Sequence, residues 1–137
     1  MKIMAFVLLS LVALAAPAAA ESVARTFPVS LDRAWSTTEK VLRILGWEVD
    51  KADRAVGWIT TESRKLDGED YGVYAKGTRH RLRIHVRADG AKGTTVTVER
   101  SVFKRERILW MDKDEPIATA SDKQVERGIL SAIGKAL

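Results

Sequence analysis

The run Arg79-His80-Arg81-Leu82-Arg83-Ile84-His85-Val86-Arg87 constrains the fold of this chain more than any other stretch. Successive side chains of a strand point to opposite faces, so Leu82, Ile84 and Val86 share one face while Arg81, Arg83, His85 and Arg87 share the other. The run is therefore a strand with one buried and one basic side. Asp89 to Gly93 supplies a turn, and Thr94-Thr95-Val96-Thr97-Val98-Glu99 returns antiparallel, with Val96 and Val98 inward and Thr95, Thr97 and Glu99 outward. Such a hairpin leaves one apolar face that other elements must cover.

Two segments have the period to cover it. From Leu31, capped by Ser30, the residues Ala34, Trp35, Thr38, Val41, Leu42 and Leu45 recur at helical spacing up to Gly46. Near the other end Val125, Ile129, Leu130, Ile133 and Leu137 form a second stripe, with Thr119 or Ser121 as its expected cap. Arg25 to Val29 reads as a short edge strand because Pro28 cannot donate to a ladder. Trp47 to Asp50 alternates apolar with acidic residues and, across a turn at Asp53 to Gly57, pairs with Trp58 to Ser63 in another hairpin. Trp35 belongs to the core on this reading, and Trp47 and Trp58 close its mouth.

Lys65 to Thr78 is a long glycine-containing loop with Tyr71, Val73 and Tyr74 as its sizeable apolar groups. After Arg100 two readings stand: the strand bulges, or it ends and a basic-aromatic segment follows, Val102-Phe103-Lys104-Arg105-Glu106-Arg107 running into Ile108 to Met111. Asp112 to Pro116 reads as a charged loop. The whole is an α+β fold: an antiparallel sheet of about five strands, with a helix in the N-terminal half and a C-terminal helix packed on one face.

Met1 to Ala20 carries one early lysine, an uncharged apolar run of about a dozen residues, Pro17, and Ala18-Ala19-Ala20 before Glu21. This is the pattern of a secretory signal peptide cleaved after Ala20, and it falls short of the roughly 20 apolar residues of a membrane-spanning helix. The expectation is a periplasmic product, residues 21–137, forming one domain with no transmembrane segment. The chain has no cysteine, so disulfides and lipid attachment at the cleavage site are ruled out and stability must come from packing. A net charge of +5 favours anionic lipid or envelope polymers over nucleic acid as non-specific partners of an exported protein.

Enzymatic chemistry finds little support. There is no thiol, and the two histidines, His80 and His85, are an odd number of residues apart on one strand and face opposite sides. No nucleophile elbow, metalloprotease motif, phosphate loop or calcium loop occurs, and the acidic Asp67 to Asp70 matches no dedicated ion site. No cofactor or metal is expected. The candidate interaction residues are Tyr71 and Tyr74 in the long loop, Arg81, Arg83 and Arg87 on the basic face, and Phe103, Lys104, Arg105, Arg107 and Trp110 beyond it. The arginine row suits phosphates or carboxylates, but Glu62 and Glu99 on neighbouring strands are placed to neutralise it.

The sequence Phe27-Pro28-Val29, then Trp35, Val41-Leu42, Gly46-Trp47, Asp53, Gly57 and Ile59-Thr60, resembles the domain family of the outer-membrane assembly lipoprotein BamC. That resemblance implies a helix-grip-like domain and an envelope protein that binds another macromolecule. The family carries a lipidated cysteine, a long unstructured segment and two grip domains; this chain matches it as a single, non-lipidated domain. The expected function is a non-catalytic periplasmic protein-interaction module, linked to outer-membrane or envelope assembly. The alternatives are a carrier of a small apolar ligand and a binder of envelope polyanions through the arginine face.

Overall fold

In the computed structural model, which describes residues 22–65, 78–108, 111–116 and 123–137, the Arg79 to Glu99 hairpin is the centre of the sheet. β4 (Thr78–Asp89) pairs antiparallel with β5 (Gly93–Ile108), from Asp89 opposite Gly93 to Thr78 opposite Lys104. β1 (Ser22–Phe27) lies on the other side of β5, and β3 (Trp58–Thr61) and then β2 (Val49–Asp53) extend the sheet beyond β4, giving the order β1-β5-β4-β3-β2. β1 stops at Phe27, so Pro28 lies outside the ladder.

β6 (Met111–Pro116) was expected as a loop and is a strand, paired with the far half of β5. Phe103 and Lys104 pair with β4 as well as with Pro116 and Glu115, which puts β6 on the edge of β5 that β1 occupies further back. The register sets Lys104 opposite Glu115, Arg105 opposite Asp114, Glu106 opposite Lys113 and Arg107 opposite Asp112, four opposite-charge pairs in succession. β5 neither bulges nor ends after Arg100.

α1 (Leu31–Ile44) is capped by Ser30, whose hydroxyl accepts from the Arg33 amide at 3.3 Å. It stops at Gly46, where φ is +86°, a conformation natural to glycine at the end of a helix. Ala34, Trp35, Thr38, Val41 and Leu42 face inward as expected; Leu45, expected among them, is exposed at the cap. Thr38 sits on the buried face by donating its hydroxyl to the Ala34 carbonyl at 2.7 Å. α2 (Gln124–Ala136) starts beyond the expected caps Thr119 and Ser121, which lie outside the described residues, and its N-cap Lys123 makes no side-chain capping bond.

Both helices pack on one face of the sheet. Trp35, Val41 and Leu42 of α1, Ile129, Leu130 and Ile133 of α2, and Ile59, Leu82, Ile84, Val86, Val96 and Val98 of the strands form a single buried cluster. Each fully buried aliphatic side chain of this kind stabilises the fold by about 1.5–3 kcal/mol. Two buried threonine hydroxyls bond to backbone: Thr61 accepts from the Leu82 amide at 3.0 Å, and Thr94 donates to the Val29 carbonyl at 2.9 Å. Trp47 is buried as expected, just before β2, whereas every residue of β2 itself is exposed, Val49 included. Among the described residues, no helix is long and apolar enough to cross a membrane.

Candidate functional site

Alternation along β4 delivers Arg81, Arg83, His85 and Arg87 to the face of the sheet away from the helices. β5 adds Thr95, Thr97, Glu99, Ser101 and Phe103 to the same face through its register. Trp58, expected at the mouth of the core, belongs here too. It stands opposite His85, and its neighbour Ile59 takes the inward position. The Trp58 and His85 rings stack with centroids 4.3 Å apart and planes inclined by 16°. The Arg83 guanidinium lies 3.9 Å from the Trp58 centroid, and that of Arg81 lies 5.2 Å from the Phe103 centroid.

These contacts decide how the arginines are held. Arg83 is directly opposite Glu99 in the ladder, yet it packs on the indole. Among the described residues, Arg81, Arg83 and Arg87 make no salt bridge, so the neutralisation expected from Glu62 and Glu99 is not formed. Arg79 differs: its guanidinium donates to the Ser63 hydroxyl and carbonyl, each at 2.8 Å. The outer face thus presents three exposed cations, two of them braced on aromatic rings. The carboxylates of Asp53, Asp89 and Glu99 share it. Asp53 accepts from the Ala55 and Val56 amides and Asp89 from the Thr95 hydroxyl. That bond and the one between the Thr26 and Thr95 hydroxyls at 2.8 Å bury Thr95, expected to be exposed.

The other sequence candidates fall elsewhere. Phe103 is on this face but only 6% exposed, beneath Arg81. Lys104, Arg105 and Arg107 are each registered opposite an acidic residue of β6. Tyr71, Tyr74 and Trp110 lie outside the described residues.

A second charged group lies inside the core. Arg100 keeps the inward phase of Val96 and Val98 and is 3% exposed, and Glu126 on α2 is fully buried. Arg100 Nε is 2.7 Å from Glu126 Oε1, Lys123 Nζ is 4.0 Å from Oε2, and Arg100 Nη1 is 3.4 Å from Nδ1 of buried His80. Neither Glu126 oxygen meets hydrogen-bond geometry, so the attraction is that of an ion pair. The cluster ties α2 to the two central strands. Its signal was in the periodicity: Arg100 continues the even-numbered phase of β5, and Glu126 falls three residues before Ile129 on the apolar stripe of α2.

Two further features bear on ligands. Among the described residues, no three His, Cys, Asp or Glu side chains are grouped to hold a metal ion. An open cleft of about 580 Å³ at the end of α1 is lined by Glu39, Arg43, Gly46, Trp47, Glu48 and Val49; it opens at the surface. No protein-family model and no curated protein matches the chain.

Proposed function

We propose that the protein is a non-catalytic periplasmic interaction module, a single helix-grip-like domain related to BamC, which binds an envelope protein through the outer face of its sheet. The observation that carries this reading is the state of Arg81, Arg83 and Arg87: exposed, without a carboxylate partner among the described residues, the first two set against Phe103 and Trp58. Arginine next to aromatic side chains is the composition enriched in protein interfaces and in their energetic centres. Asp53, Asp89 and Glu99 on the same face favour a protein of mixed charge over a uniform polyanion, which those carboxylates repel.

The carrier reading has less behind it. The inner face is occupied by Leu42, Ile59, Leu82, Ile84 and Ile129, all fully buried against one another, and a ligand there would have to displace them. The non-catalytic assignment rests on the residue types available: no thiol, and two imidazoles on opposite faces of one strand.

Affinity capture from envelope extract tests the proposal, comparing the wild-type chain with one in which Arg81, Arg83 and Arg87 are all changed to Gln. The proposal expects a specific protein whose recovery falls at least about tenfold in the variant while thermal stability is unchanged, as for loss of interface arginines. Equal recovery by both chains refutes it. Binding of a purified envelope polyanion that falls with salt and with the same substitutions would favour the polyanion alternative instead.

A further inference from the structure

Among the described residues the β2 edge of the sheet is unpaired, and its residues are self-complementary. β2 pairs only with β3 among the described residues, and all five of its side chains are exposed. Val49 and Ala52 are registered against Thr61 and Ile59, with the register shifted between Val49 and Lys51; Thr61 and Ile59 are buried, so this irregularity at Asp50 puts Val49 and Ala52, three residues apart, both on the core side of the sheet. At the end of α1, Ile44 is 72% exposed and Leu45 41%. A sheet edge bearing this much apolar surface is costly in water unless something covers it.

The charges on the strand indicate what. Asp50 and Lys51 are exposed and make no ion pair with any described residue. The irregularity between Val49 and Lys51 shifts the parity of the strand, so β2 can meet β2 of a second copy antiparallel about a two-fold axis between Asp50 and Lys51, with Asp50 facing the copy's Lys51 and Lys51 the copy's Asp50. Val49 and Ala52 face each other across the same axis, also twice. Shifting the axis onto Lys51 would oppose two lysines, so the charges select one register. We infer that the protein associates with a second copy of itself by isologous pairing of β2 strands, continuing the sheet through both subunits and bringing the Val49 and Ala52 side chains together near the axis. The surface is separate from the arginine face, so the inference stands independently of the proposed partner.

Sedimentation velocity over a concentration series, with the chain as purified from cells, tests it. A reversible dimer is expected, and Lys51→Asp, which sets like charges opposite each other at two positions, should weaken it on the order of tenfold. Adding Asp50→Lys to that variant reverses both pairs and should restore the dimer. Circular dichroism shows whether each variant is folded, and both positions are exposed. A chain that stays monomeric to about 1 mM, a dimer indifferent to Lys51→Asp, or one that the double exchange fails to restore overturns the inference.

Discussion

Removing the Glu126 carboxylate takes the ion-pair partner at 2.7 Å from the buried Arg100 guanidinium, which cannot shed its proton. Loss of one member of a buried pair costs about 3–5 kcal/mol, so Glu126→Ala should lower the unfolding free energy by about that amount in urea titration. Changing Arg100 and Glu126 together to Leu should cost less than the sum of the two single changes, since the desolvation of both charges is removed with the pair. The arginines of the outer face behave otherwise. Arg83→Ala loses only its contact with Trp58, worth about 0.5–1 kcal/mol at an exposed site, and the same urea titration should show a shift of that size.

At the scale of elements, the β2–β3 turn depends on Gly57. Its φ is +85°, its amide donates to the Asp53 carbonyl at 2.8 Å, and a Cβ there would come within 2.4 Å of the Val86 carbonyl oxygen. Gly57→Ala should therefore destabilise the protein by about 1–3 kcal/mol, from strain together with displacement of β4. The β5–β6 register sets residues of opposite charge against each other instead. Asp114→Lys places a like charge opposite Arg105 and should weaken the ribbon by up to about 1 kcal/mol, read as faster hydrogen exchange in β6 than in β4. The hairpin of β4 and β5 and the helix α1 were legible because their apolar residues recur at one period from end to end. β6 was not, because Met111 to Pro116 has no apolar alternation and its partner residues lie across the turn. The inward Arg100 and Glu126 were hidden for a related reason: hydrophobic periodicity is read from apolar residues, so a buried charge looks like a break in the pattern. Trp58 was misplaced because its own strand is only four residues long, too short for alternation to fix which face it takes.

For the whole molecule, one face of the sheet makes the core and the other faces solvent. The division follows from the parity of β4, where Leu82, Ile84 and Val86 meet the helices and Arg81, Arg83 and Arg87 meet solvent. With the core side filled, the outer face is the broad surface on which cations and aromatic rings stand together. Recognition there should be sensitive to Trp58→Ala, which removes the support of Arg83, and insensitive to changes on the exposed side of α1. A photoreactive amino acid placed in living cells at Ser101, exposed on the outer face, and separately at Lys40, exposed on α1, tests the central claim most directly. A covalent adduct to one envelope protein from Ser101, lost when Arg81, Arg83 and Arg87 are changed to Gln and absent from Lys40, is the predicted result. An adduct from Lys40 with none from Ser101 would contradict it.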